Sequence, residues 1–483
     1  MNSIIIFLIL FLFFSVRRPL WAGIFILSTL PSYLVRFYFF AIPATLLEGM
    51  IWCFVIGSLW KNQVGLKFFN IASRRALILQ KRNLFFIIFV IFFLFAGLIS
   101  AFQAPEFHAA LGIFKAYIVE SILFVLLFLL LLKNNGNVSS RLPNARVLQI
   151  LLYTLGITTF IISLYALFQK ITGFGIPNAF WQASETRRVT SVFEYPNALG
   201  LYLGPLVVLY FGIFVNQIKT VILRHKVSKD LMTEKSARFA HWILRYAQDD
   251  KKTAFLSFLV FVFAFLAIFF AKSEGAIFGI LTGMMIIIFF SFPTIKQKKW
   301  FLFLGTLGVA TLFFVPITRE YLIQKVSLND FSGNIRREMW NETFAFLKTE
   351  PFFGAGLSGY QDRIMPFHTN TQDEVFLYPH NFFLNFYVEM GILGLVSVIG
   401  LLSLFFIRVT RRIFSNDLQQ CTVEHSKKME PLSFVNIFFF AMMVEILVHG
   451  MVDAPFFKND LSIIFLFILF SGIHFHLFFI QSE

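Results

Sequence analysis

The chain has 483 residues, 58% of them hydrophobic and only 14% charged, with 70 phenylalanines and a mean hydropathy of +0.76. A soluble domain carries about 25% charged residues, so a water-soluble globular enzyme is excluded and a polytopic membrane protein remains. The net charge of +15 raises the question of a nucleic-acid partner, and the placement of the cations answers it below.

An apolar run of roughly 17–25 residues crosses a bilayer as a helix. In chain order such runs fall near 3–16, 19–34, 42–60, 84–101, 111–132, 147–167, 196–216, 254–271, 275–292, 300–317, 381–407, 433–452 and 460–479. The expectation is about thirteen spans, or twelve if the first two form one interfacial hairpin. Arg17 and Arg18 follow the first apolar run instead of preceding it, so no signal peptide is expected. Cys53 lies in an apolar run and Cys421 in a basic loop, which offers neither a disulfide framework nor a thiolate metal site. The whole of 1–483 reads as one integral membrane domain, an all-α polytopic transmembrane helical bundle.

Assigning alternate loops to the two faces puts 28 of the 41 Lys and Arg on one side and 12 on the other, with Lys115 inside a span. Half of the twelve sit in one long loop, where charge bias is weak, so the cation-rich side is expected to be cytoplasmic. The basicity is topological and no nucleic acid is implied. The basic loop 217–252, containing KSARFAHWILRYAQDDKK, reads as an amphipathic cytoplasmic surface helix, and 133–146 as a polar linker.

The opposite face carries one long loop, 318–380, with short helices. Its SLNDFSGN stretch offers Ser332 or Asn334 as a helix cap. In IRREMWNETFAFLKTE, Ile335, Met339, Phe346, Trp340, Phe344 and Leu347 recur at three- and four-residue steps on one apolar face. Pro351 ends the helix, and FFGAGLSGY forms a glycine-rich turn without the terminal Lys-Ser/Thr of a phosphate loop. After TNTQDE the chain re-enters the membrane at YPHNFFLNFYVEMGILGL, with His380 at the mouth of the helix.

The same face collects further polar groups. SETRRVTSVFEYPNALG supplies Arg187, Arg188 and Asn197; AKSEGA supplies Lys272 and Glu274; HGMVDAPFFKND places His449 and Asp453 four apart on one helical face. Singly, each has a plain reading: interfacial cations snorkel to headgroups, a histidine at a helix entrance caps it, and His449 and Asp453 can bond each other. Their joint placement on one face is what points to a site. Five charges lie inside spans, namely Glu48, Lys115, Glu120, Glu389 and Glu445, and Lys115 can pair with Glu120 along one helix. A transporter or flippase of lipid-linked saccharides would use such groups at mid-membrane and stands as the alternative, although these are scattered without matching halves.

The blocks RRVTSVFEYPNALGLYL, KSEGAIFGILTG, GNIRREMWNETFAFLKTEPFFGAGLSGY, PHNFFLNFYVEMGILGL and HGMVDAPFFKNDL resemble the O-antigen ligase and polymerase family of polysaccharide-assembling membrane proteins, over roughly 185–470. The resemblance implies a membrane glycosyltransferase of the C type in the cytoplasmic membrane, with its active site facing outward. It implies an undecaprenyl-diphosphate-linked glycan as donor, a glycan, lipid or protein acceptor, membrane lipid around it, and no metal or other cofactor. Carried over, the family's loop histidine falls on His380, its helix arginine on Arg337 and its first-motif arginine on Arg187 or Arg188. His380, Arg337 and Arg188 are thereby expected to be catalytic, and Arg187, Lys272, Arg336, Asn197, Asn381 and Asp453 to bind substrate. Where the family often has Ser-Arg-Gly, this chain has Ser273-Glu274-Gly275; Lys272 stands in for the arginine, but lysine lacks the bidentate fork that suits phosphate. The expected chemistry is inverting transfer with a neutral imidazole as base and guanidinium groups on the diphosphate.

Overall fold

A backbone surrounded by hydrocarbon must satisfy its own hydrogen bonds, which a helix does within one segment. The computed structural model, which describes residues 2–39, 42–60, 81–135, 143–230, 237–369, 375–414 and 423–479, is accordingly built from helices. The stretches 61–80, 136–142, 231–236 and 415–422, with Cys421, and the greater part of TNTQDE lie outside the described residues.

The chain opens with α1 (Asn2–Arg17) and α2 (Pro19–Ser28), then a hairpin of β1 (Arg36–Phe39) and β2 (Ile42–Thr45) pairing Arg36 with Thr45. Next come α3 (Leu46–Trp60), α4 (Lys81–Gln103), α5 (Phe107–Ile113) and α6 (Glu120–Asn135), the last two joined by a π-helical stretch, Phe114–Val119. α7 (Pro143–Thr172), the single turn α8 (Ala179–Gln182), α9 (Pro196–Asp230), α10 (Ala237–Ala271) and α11 (Glu274–Ser291) follow. The loop expected at 318–380 holds α13 (Pro316–Val326), α14 (Phe331–Thr349) and α15 (Tyr360–Ile364), entered from α12 (Ile295–Phe314) and left by α16 (Phe382–Phe414). α17 (Val423–His449) and α18 (Asn459–Phe479) end the described chain.

All thirteen apolar runs are mainly helical, but their lengths differ. Among the described residues seven helices are long and apolar enough to cross a membrane, or eight if α12 and the α13–α14 pair, bent by 103°, count as one broken span. The runs beginning at 3, 19, 42, 433 and 460 give shorter apolar helices of 10–17 residues. Hydropathy detects the run; at about 1.5 Å of rise per residue, length decides whether it reaches across about 30 Å of hydrocarbon. The run at 42–60 is shortened because its first four residues pair as a strand.

The chain folds into two compact units. The first comprises Met1–Arg146, Lys296–Arg408 and His449–Glu483, and the second Val147–Ile295 and Val409–Val448. In the first, α16 is not continuous: Gly391 has φ +65°, breaking the helix and freeing hydrogen-bonding groups on both sides of it. The FFGAGLSGY turn fills the break. Ala355 N–H donates to the Val388 carbonyl (2.7 Å) and Ile392 N–H to the Phe352 carbonyl (3.0 Å). A Cβ on Gly354 or Gly391 would collide with those same backbone strands, which is why glycine is required at both. The Glu389 carboxylate accepts the Ser358 N–H (2.7 Å) and so ties the turn's far end to the same helix. Met339, Phe346, Leu347, Tyr360, Leu384 and Val388 then form one core beneath α14, the turn and α16.

In the second unit α9 packs along α10 and α11. Gly204 and Gly279 let these backbones approach the buried Glu445 of α17, where a Cβ at either position would meet its side chain or backbone.

Candidate functional site

Each unit assembles part of the expected residue set. In the first, the segment after α17 acts as a template. The Gly450 carbonyl accepts the Phe382 N–H (2.6 Å), the Met451 carbonyl accepts Asn381 Nδ2 (3.1 Å), and the Val452 carbonyl accepts Arg336 Nε (3.0 Å). The next residue, Asp453, bonds through Oδ1 to His380 Nδ1 at 3.1 Å. Four consecutive residues thus hold the start of α16, Asn381, Arg336 and His380. Asn381 also caps α16, its Oδ1 accepting the Leu384 N–H (3.1 Å), as an Asx N-cap does.

His380 is set by strain as well as by bonding. Its φ of +44° lies in the left-handed region, which a non-glycine residue occupies at a cost of about 1–3 kcal/mol and which clusters at functional sites. The Trp340 indole N–H holds the preceding carbonyl, that of Pro379, at 2.7 Å. The Phe376 ring meets the imidazole edge-on, 5.4 Å between centroids.

The electrostatics of the pair fix the imidazole. Burial alone would raise the Asp453 carboxyl, but the hydrogen bond and charge of His380, the charge of His449 and the Ala454 N–H outweigh it and hold the group well below the usual carboxylate range. His449 Nε2 stands 4.0 Å from the other Asp453 oxygen, so the pairing expected between these two is secondary to the one with His380. A carboxylate only accepts hydrogen bonds. In the neutral imidazole, Nδ1 of His380 therefore carries the proton and Nε2 the lone pair, the form able to take a proton from a hydroxyl. The His380 side chain is 25% exposed and that of Asp453 6%.

Arg337 stands one residue beyond Arg336 but is bonded to Asn334 on its own helix and not to the 450–453 segment. The helix also starts earlier than expected. Asp330 occupies the N-cap position without a side-chain cap bond, so Ser332 and Asn334 lie inside the first turn. Phe344, expected on the apolar face, is 52% exposed.

The second unit gathers Arg188, Asn197 and Lys272. Arg188 donates from Nε to the Ala271 carbonyl (2.9 Å) and from Nη2 to Asn197 Oδ1 (3.1 Å) and the Lys272 carbonyl (3.3 Å). Lys272 itself has φ +54°. Arg187 is turned elsewhere, to the carbonyls of Lys170, Ile171 and Gln182, where it closes the carboxyl end of α7. Gln169, not singled out by sequence, locks the segment behind Arg188. Its buried Oε1 accepts the N–H groups of Thr190 (3.0 Å) and Ser191 (2.7 Å), and Ser191 has φ +52°. The available signal was an amide side chain just past the end of an apolar run. Trp340 was read as one more apolar residue because its indole N–H has no mark in the pattern.

Residues 259–399 match the family described as O-antigen ligase. The matched stretch includes Lys272, Arg336, Arg337, His380 and Asn381; Arg187, Arg188, Asn197 and Asp453 lie outside it. No curated protein matches the chain.

Proposed function

We propose that the chain is a member of the O-antigen ligase family, an enzyme family of membrane glycosyltransferases whose model residues 259–399 match, and that it moves a glycan from an undecaprenyl-diphosphate carrier to an acceptor hydroxyl at the outer face of the cytoplasmic membrane. The observation that carries this reading is the His380–Asp453 pair at 3.1 Å, which leaves Nε2 as the nitrogen that carries the lone pair of the neutral ring, with Arg336 of α14 bonded to the Val452 carbonyl next to Asp453.

In the proposed reaction the acceptor oxygen attacks the anomeric carbon while its proton passes to His380 Nε2. The bond from that carbon to the diphosphate oxygen breaks, the electron pair leaves with the lipid diphosphate, and the configuration inverts. A positioned general base contributes about 10²–10⁴-fold. Arg337 is the guanidinium group assigned to the diphosphate, where bidentate, charge-assisted bonds suit phosphate oxygens and the charge that grows on them. In the second unit Asn197 holds Arg188, a guanidinium group suited to the same kind of anion, next to Lys272; in the first, Asp453 holds the base, and Arg336 and Asn381 bond the carbonyls just before it. Polymerase-like and ligase-like transfer share this chemistry and differ only in the acceptor.

The test is to incubate purified protein with a lipid-diphosphate-linked glycan and candidate acceptors and to weigh the product by mass spectrometry. His380→Ala is expected to insert normally and to abolish transfer. Transfer at the unmodified rate in that variant removes the imidazole from the mechanism.

A further inference from the structure

A cleft opens between α14, α15 and the segment around Phe376, with an empty volume of about 320 Å³. Ile335, Glu338, Met339 and Glu342 line one side of it, spaced three and four apart, so a single face of α14 is turned inward. That face is acidic. Arg336 points instead to the Val452 carbonyl and Arg337 to Asn334, so the helix segregates its carboxylates from its guanidinium groups. Glu342 is held in place by His368 Nδ1 (3.1 Å) and the Thr369 N–H (3.1 Å). The opposite side is aromatic, with Tyr360 and Phe376. Tyr360 is fixed by its hydroxyl against Thr343 Oγ1 at 2.8 Å.

The carboxylates of Glu338 and Glu342 on this face repel a diphosphate, so the cleft disfavours the activated donor's leaving group. Their lone pairs accept hydroxyl protons well, in charge-assisted bonds stronger than those between neutral groups, and an aromatic wall supplies apolar contact for a ring. Among the described residues no group of His, Cys, Asp and Glu side chains is arranged to hold a metal, so Glu338, Glu342 and His368 are not a cation site. The position of the cleft supplies the role: Phe376 is both a wall of the cleft and the ring that meets the His380 imidazole.

We propose that this cleft is the acceptor subsite, binding one uncharged saccharide ring through Glu338, Glu342 and Phe376 so that its hydroxyl is presented toward His380. The inference rests on the transferase reading for the word acceptor, and on the cleft itself for the saccharide.

The experiment measures binding without transfer. Full-length His380→Ala protein in nanodiscs, with no donor, is examined by saturation-transfer NMR. The probes are a panel of neutral hexoses and N-acetylhexosamines and the matching sugar phosphates. At least one neutral sugar is expected to receive saturation and its phosphate less. Glu338→Gln, which keeps the shape of the side chain, and Phe376→Leu are each expected to weaken binding by about tenfold, the loss of one charged hydrogen bond or one ring contact. No signal from any neutral sugar, a stronger signal from the phosphates, or signals untouched by both substitutions would overturn the proposal. Transfer by the wild-type protein is followed separately. Sugar binding that depends on Glu338 in a protein that moves no glycan leaves the saccharide site standing and removes only the transferase reading.

Discussion

His380 and Asp453 are 73 positions apart in sequence and 3.1 Å apart in space, and the carboxylate determines which imidazole nitrogen is basic. Asp453→Asn keeps the shape but permits the other tautomer. It is expected to slow transfer by about two orders of magnitude or more while the protein inserts and folds, as when an orienting carboxylate is lost beside a catalytic histidine. Transfer kinetics check this, and a rate within a factor of about two of wild type excludes the orienting role. The pH dependence follows from the direction of the shift. The carboxyl of Asp453 lies below its ordinary value of 3.8 in the folded protein, so its ionised form stabilises the fold at pH above 3.8. That contribution fades as pH falls from there toward the folded-state value. Acid unfolding followed by tryptophan fluorescence is therefore expected to begin at higher pH in Asp453→Asn than in wild type.

Among the elements, α16 shows why two glycine-bearing motifs recur far apart in the chain. Pro351–Gly359 supplies the backbone that satisfies the groups freed at Gly391, so the turn and the broken helix are halves of one hydrogen-bonded unit. Gly391→Ala puts a Cβ at φ +65° against the Phe352 carbonyl and the Phe353 backbone. It is expected to destabilise the protein by about 1–3 kcal/mol from backbone strain alone, read as a lower thermal unfolding midpoint. Gly305→Ala in α12, where a new Cβ meets nothing within 4 Å, is the control and is expected to leave the midpoint unchanged or raise it. Equal midpoints for Gly391→Ala and wild type would show that the turn does not depend on this glycine.

Across the whole chain, the charges inside apolar helices have a simpler explanation than transport. Glu48, Lys115 and Glu120, which the sequence scatters over two spans, meet in one network. Lys115 Nζ lies 2.6 Å from Glu48 of α3 and 3.7 Å from Glu120. The Trp52 indole donates to Glu120 (2.6 Å) and Asn459 of α18 to Glu48 (3.2 Å). The expected pairing of Lys115 with Glu120 is present, but the shorter bond is to another helix. Such a network joins α3, the π-helical stretch and α18. Lys115→Met strands two carboxylates and is expected to lower the unfolding midpoint more than the Lys115→Met, Glu48→Gln pair does. A double-mutant cycle on thermal or denaturant unfolding is expected to return a coupling of about 1 kcal/mol, reduced by the solvent exposure of the lysine. Additive effects would show that the ion pair contributes nothing to the fold.

The sequence by itself determined the class of molecule, the positions of its apolar helices and the helical loop after α12. Those properties depend on composition and on short-range periodicity, and both are local. Only the tertiary structure decided which helices are full-length, that α16 is broken, that Asp453 serves His380 before His449, and that Arg187 closes a helix while Arg188 meets Asn197 and Lys272. Most of these turn on backbone groups, such as the carbonyls of Gly450, Met451 and Val452 or a positive φ at His380. Every residue carries a carbonyl and an N–H, so no pattern of side chains can mark the few that the folded chain brings to a site.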